Sequence, residues 1–175
     1  MAEDEQDPDI PRFVSLEVTN FLSYKHARFE FADLVALVGP NASGKSNLVA
    51  AIKLLRDIPV HGLPIDLARR GGFDQLRHRS QGRPNDPSLR IEFEFPGQSV
   101  SVYEMRLGAV GPSSYRVKHE TADIHWTAGR FRFRSDGKEV QFENPPYSSA
   151  EPTESHFRNF PRPAWSECPV LRWVR

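Results

Sequence analysis

The chain has 175 residues, of which 38% are apolar, with 23 basic side chains against 23 acidic ones. That is one ordinary domain's length with enough apolar content for a core, and zero formal charge gives no bulk attraction to nucleic acid or membrane, so any such contact needs a local patch. The single cysteine, Cys168, rules out an internal disulfide and fits a reducing compartment. No apolar run approaches the ~18 residues needed to cross a bilayer, and the acidic opening MAEDEQDPDIP is the opposite of a secretory signal. A soluble, cytoplasmic protein with no membrane partner is expected.

Taken in chain order, residues 1–11 read as a disordered acidic tail. Arg12 to Val18 (RFVSLEV) sets Phe13, Ser15 and Glu17 against Val14, Leu16 and Val18, the alternation of a strand with one apolar face. Asn20 to Tyr24 (NFLSY) is a turn, and Ala27 to Phe31 alternates again. Leu34 to Val38 is apolar throughout, which predicts a strand covered on both faces. From Lys45 to Arg56, Leu48, Ile52 and Leu55 fall at i, i+4 and i+7, one stripe of a helix that Asp57-Ile58-Pro59 should end. Residues 59–88 look loop-rich and cationic, with one short helical turn at Ile65 to Arg69. Then Leu89 to Phe95, Val100 to Leu107, Tyr115 to His119, Ile124 to Trp126, Arg130 to Arg134 and Glu139 to Phe142 read as the short strands of an antiparallel meander. Ser135-Asp136-Gly137-Lys138 is a good hairpin turn. Six prolines fall in residues 145–175, so that stretch is expected to be irregular, although Trp165 and Trp173 make it more apolar than a free tail.

Between the apolar run and the helix stands GPNASGKSN, which satisfies G-x-x-x-x-G-K-[ST] at Gly39, Gly44, Lys45 and Ser46. The spacing has a chemical reason. Glycines permit positive φ and close approach, so that successive N–H groups of Gly39, Pro40, Asn41, Ala42, Ser43 and Gly44 (proline excepted) can turn toward a phosphate. The helix starting there adds its free amides and dipole. Lys45 adds a mobile positive charge for the β- and γ-phosphates, and the Ser46 hydroxyl is suited to ligate Mg²⁺. Residues 39–46 are therefore the expected ATP site, with Ser46 the expected metal contact.

The combination of FVSLEVTNFLSYKHARFEF, LVALVGPNASGKSNLVAAIKLLR and RRGGFDQLRHR resembles the N-terminal part of RecF/SMC-like AAA family ATPases, in the ABC-type branch, over about residues 12–142. The phosphate loop is shared by many families; its combination with the N-F-x-S-Y segment is far more specific. The resemblance implies an α/β, P-loop NTPase N-terminal lobe carrying an antiparallel β meander, bound to ATP and Mg²⁺ and acting with DNA or a protein partner. Such ATPases also carry an apolar strand ending in Asp-Glu and a signature segment that caps ATP on a partner subunit. Neither occurs after residue 47, and Gly71-Gly72-Phe73-Asp74-Gln75 comes before the meander rather than after it. No catalytic residue is therefore assigned. Hydrolysis is expected only once a missing lobe or partner completes the site, and the competing reading is a non-catalytic regulatory module.

Other features have bland explanations. Arg69, Arg70, Arg77, His78, Arg79, Arg83 and Arg90 form a basic stretch that could touch phosphates, but a solvated loop paired with acidic neighbours is the simpler expectation. Gln75 and Gln81 are candidates for the glutamine that senses Mg²⁺ between lobes. Phe93, Phe95, Phe131 and Phe133 fit alternating core positions better than a base-stacking platform. A kinase-like P-loop transferase is disfavoured by the meander and the N-F-x-S-Y segment.

Overall fold

Among the described residues, seven strands form a single antiparallel sheet: β1 (Arg12–Phe21), β2 (Tyr24–Glu30), β3 (Ser88–Glu94), β4 (Ser101–Ala109), β5 (Tyr115–Trp126), β6 (Gly129–Ser135) and β7 (Val140–Glu143). Their spatial order is β2-β1-β3-β4-β5-β6-β7, so everything from β3 onward is the expected meander. The computed structural model describes residues 11–79, 85–111, 114–126 and 129–143. The expected acidic tail (Pro11 apart) and the Pro-rich end lie outside these residues, as does Gln81.

Alternation builds the core. Leu16 and Val18 of β1, Leu89, Ile91 and Phe93 of β3, Tyr103, Met105 and Leu107 of β4, and Phe131 and Phe133 of β6 are all buried. They form one cluster with side chains of α1 (Lys45–His61), α2 (Leu63–Arg69) and α3 (Phe73–Leu76). Phe93, Phe95, Phe131 and Phe133 are thus core residues, as expected. Intervening positions carry charge. The Glu92 carboxylate accepts hydrogen bonds from Ser15 Oγ at 2.7 Å and Arg28 Nη2 at 2.9 Å, and it also pairs with Arg90. The hairpin at residues 135–140 is secured by Asp136, whose carboxylate accepts the Lys138 and Glu139 amides. Gly137, at φ 83°, is required there: a Cβ would lie 2.0 Å from the Val117 carbonyl oxygen.

Several expectations need correction. α1 runs through Pro59 to His61 rather than ending across Asp57-Ile58-Pro59. Proline removes one backbone donor, and only the last turn of the helix lies beyond it. The buried stripe of α1 is Leu48, Ala51, Leu54, Leu55 and Ile58, with Ile52 only partly buried. The two strands expected in 115–126 are one continuous strand, β5.

The largest correction concerns Leu34 to Val38, which is neither a strand nor buried. Leu34 and Val38 are each 89% exposed. Phe31 makes the last backbone bond to β1, donating to the Val14 carbonyl at 2.9 Å, and the chain then leaves the sheet. A strand exists only if a neighbour accepts its N–H and C=O groups. Among the described residues no strand flanks this segment, so its apolar composition alone cannot make it one. The α/β element of the expected fold is therefore limited here to three helices over an antiparallel sheet.

Candidate functional site

The sequence places its glycine loop where the exposed 34–38 segment meets α1. Gly44 is the N-cap of α1, at φ 95°, and no side chain caps the first turn. Its carbonyl accepts the Asn47 and Leu48 amides at 2.8 and 3.2 Å. The helix thus begins at Lys45 with the next amides free of side-chain partners, the arrangement that favours an anion at the helix N-terminus. Ala42 adopts a left-handed conformation at φ 64°, and the Ser43 amide closes a turn onto the Pro40 carbonyl at 3.3 Å. Residues 39–43 and Ser46 are exposed, whereas Gly44 is buried.

Lys45 folds back over its own loop. Its ammonium donates to the Gly39 and Pro40 carbonyls, both at 2.6 Å, and to Ser43 Oγ at 3.3 Å. An ammonium has three donors, so all are engaged, and a phosphate would have to take over one of them. The fold ties Gly39, Pro40, Ser43 and Lys45 together by hydrogen bonds, with Gly44 the N-cap and Ser46 in the first turn of α1. A Cβ on Gly39 would lie 3.1 Å from Ser43 Oγ. The donor set suits a polyphosphate: free helix amides, one mobile cation and a hydroxyl next to it in sequence for a hard divalent ion.

Sequence reasoning missed the partners of this loop. Tyr24 Oη donates to the Gly44 carbonyl at 2.7 Å, and Asn47 Nδ2 donates to Ser23 Oγ at 2.6 Å. Ser23 lies in the β1–β2 turn and Tyr24 opens β2, 24 and 20 residues in sequence from their partners. The N-F-x-S-Y segment signalled that this turn matters, but only folding shows what it touches. A Cβ on Gly44 would meet Ser23 Oγ at 3.0 Å and Tyr24 Oη at 3.1 Å, so this glycine is needed for space as well as for its φ. Burial raises the Tyr24 phenol's pKa and keeps it a donor. Its ring packs edge-on against Phe29 at 5.4 Å.

Of the basic stretch, Arg83 lies outside the described residues, and most of the others are paired. Arg70 bonds Asp57 at 3.2 Å, Arg77 reaches Asp74 at 3.4 Å and stacks over Phe73, Arg79 donates to Gln75 at 3.3 Å, and Arg90 pairs with Glu92. His78 Nδ1 lies 3.0 Å from the Leu22 carbonyl, and its amide donates to Asn20. Gln75 sits on α3 with its carbonyl on Arg79. The first acids downstream of the loop in sequence, Asp57, Asp66 and Asp74, all lie on helices rather than at a strand end.

Comparison with known proteins bears on the family. The family model described as "AAA domain, putative AbiEii toxin, Type IV TA system" matches residues 34–154. Structural maintenance of chromosomes protein 1 of Arabidopsis thaliana is 28% identical over 127 residues, covering 69% of this chain but 10% of that protein. The DNA replication and repair protein RecF of a Picosynechococcus species is 38% identical over 60 residues, or 33% of this chain and 16% of that protein. The chain thus spans only a small part of the length of either relative. A solved structure from work on ATP-driven dimerization and DNA-stimulated activation of SMC ATPases aligns with a TM-score of 0.44 at 28% identity, covering 60% of this chain and 68% of that one.

Proposed function

The chain belongs to the AAA-domain family whose model covers residues 34–154, and on that premise we propose that it is an ATP-binding N-terminal lobe of a RecF/SMC-like ATPase. Gly39, Pro40, Asn41, Ala42, Ser43 and Gly44 shape the phosphate cradle, Lys45 neutralises charge, and Ser46 holds Mg²⁺. Mg²⁺, where Ser46 would hold it, would further neutralise the phosphate oxygens. The single observation that carries this is the uncapped start of α1, with the Lys45 ammonium held over the adjoining glycine loop. An interior helix with no phosphate to serve has little use for a mobile cation at its positive end, where the dipole disfavours it.

Hydrolysis, on this reading, belongs to an assembly. The exposed apolar segment Leu34 to Val38 supports it, since it leads directly into the loop and has the composition of a strand buried between neighbours. A missing lobe or a protein partner that lays a strand against it would bring the strand-end carboxylates that hydrolysis needs. DNA is a further candidate partner, through the relatives' names alone. The same segment suits the second reading, a nucleotide-binding regulatory module that docks on another protein. The two part on turnover by the completed assembly.

The test is calorimetry of Mg-ATP against the full chain and its Lys45→Ala variant. Binding by the wild type, weakened at least several-fold by the substitution, is expected. The lost charge-assisted contact should cost about 1.5–3 kcal/mol. Equal affinity of the two proteins would remove the proposed role of Lys45.

A further inference from the structure

We propose that Ser23 and Tyr24 are positioning residues for phosphate binding, forming a clamp that sets the orientation of the Gly44–Lys45 peptide. This rests on the nucleotide-binding reading of residues 39–46 and assigns a role to residues outside that loop.

The Gly44 carbonyl is fixed from two sides. The Asn47 and Leu48 amides hold it from within α1, and Tyr24 Oη holds it from the β1–β2 turn at 2.7 Å. A trans peptide is planar, so fixing this C=O also fixes the Lys45 N–H, which points the opposite way, out of the helix N-terminus toward the cradle. Ser23 adds a second tie one turn further along, through Asn47 Nδ2 at 2.6 Å. Tyr24 and Ser23 therefore act on backbone direction rather than on a ligand directly.

The turn that carries them is itself held rigid. Leu22 donates to the Leu76 carbonyl at 2.7 Å, the His78 amide donates to Asn20 at 2.8 Å, and Phe21 bridges Arg77. Asn20 and Leu22 both take φ 50°, a left-handed conformation that side chains rarely adopt unless their surroundings impose it. A loop of exposed residues is thus referenced, through two hydroxyls, to the sheet and to the segment after α3. Pre-organising the amide donors in this way lowers the ordering cost that phosphate binding would otherwise carry.

Calorimetry on the full chain tests the clamp, with Mg-ATP and, separately, tripolyphosphate with Mg²⁺ as titrants. Tyr24→Phe keeps the ring on Phe29 and removes only the hydroxyl; it should weaken both titrants by about three- to tenfold. Ser23→Ala should also weaken both, and Ser23→Thr, which retains the acceptor, should restore wild-type affinity. The melting temperature of the nucleotide-free Tyr24→Phe chain should stay within about 4 °C of wild type, a shift that a bond of ~1 kcal/mol at most allows. Wild-type affinity in both Tyr24→Phe and Ser23→Ala would overturn the clamp and leave the nucleotide site standing. Loss for Mg-ATP with tripolyphosphate unchanged would also overturn it, because the hydroxyl would then serve the base rather than the cradle. A wild-type chain that binds neither titrant would overturn the nucleotide reading and the clamp with it.

Discussion

Asp66 and Arg70, one helical turn apart, meet at 3.5 Å in the junction between α1 and α2. The same guanidinium reaches Asp57 at 3.2 Å and the Ala50 carbonyl at 3.4 Å, so one cation serves two carboxylates and ties the second helix to the helix of the phosphate loop. Asp66 is 2% exposed, and burial raises its pKa against the opposing pull of Arg70. Its Oδ2 and Arg70 Nε have no hydrogen-bond partner, which puts the 3.5 Å approach at ion-pair range rather than hydrogen-bond geometry.

Removing Arg70 should therefore be costly. Arg70→Ala leaves Asp57 to Arg56 alone and the buried Asp66 with no basic group nearer than the His61 ring at 3.8 Å, and a stability loss of about 2–4 kcal/mol is expected. Urea denaturation would measure it. Adding Asp66→Asn should recover part of the loss, because it removes one of the stranded charges. A double variant no more stable than Arg70→Ala would show that the carboxylates are not the source of the penalty.

Glu92 makes the sheet sensitive to acid. Its carboxyl is lowered from the usual 4.5 to about 2, first by the Ser15 hydroxyl and then by Arg90 and Arg28, against an opposing effect of burial. A carboxyl lowered in the folded state contributes its full stability above the unfolded value and loses it as pH falls through the folded one. The contribution should thus be present above about pH 4.5 and vanish toward pH 2. The difference in stability between wild type and Glu92→Gln, followed from pH 6 to about pH 2, should narrow on acidification. A constant difference across that range would exclude this carboxyl as the source.

Much of this fold was legible because its signals are local. The alternation in Leu89 to Phe95 and in Arg130 to Arg134 depends only on which face meets the core, and the structure buries Leu89, Ile91, Phe93, Phe131 and Phe133 accordingly. The Asp136-Gly137 turn likewise needs only its own backbone. Leu34 to Val38 went wrong because a strand is a relation between two segments, and a run of apolar residues says nothing about whether a neighbour is present. The loop at residues 39–46 was readable as a pattern. Its ties to Ser23 and Tyr24 were not, since a hydroxyl's partner 20 residues away is set by how the hairpin and α1 pack.

The exposed segment should behave as a surface that stability does not need. Leu34→Ser with Val38→Ser changes two side chains that are each 89% exposed, so the melting temperature should move by no more than about 2 °C. Self-association should fall, since clustered exposed apolar side chains mark a contact surface. Light scattering across a concentration series, beside thermal melts, reads both. A large drop in melting temperature would mean that these side chains pack in solution and that the segment is not an open edge.

Turnover by the 175-residue chain alone should be indistinguishable from background. The cradle and the Lys45 ammonium provide for ground-state binding, and binding that is equal in the ground and transition states yields affinity without rate. Phosphoanhydride hydrolysis also needs a water held in line and a group to orient it or take its proton. Asp57 and Asp66 are committed to Arg70, and Asp74 lies 3.4 Å from Arg77. All three stand on helices, so none occupies the end of a strand running beside Leu34 to Val38. A steady-state phosphate-release assay with saturating Mg-ATP, run on wild type and Lys45→Ala, decides the matter. Equal background rates are expected, together with a rise when a polypeptide supplying an apolar strand that ends in Asp-Glu is added to the wild type but not to the variant. Robust turnover by the wild-type chain alone, lost in Lys45→Ala, would locate a catalytic acid within these 175 residues and overturn the assignment of hydrolysis to an assembly.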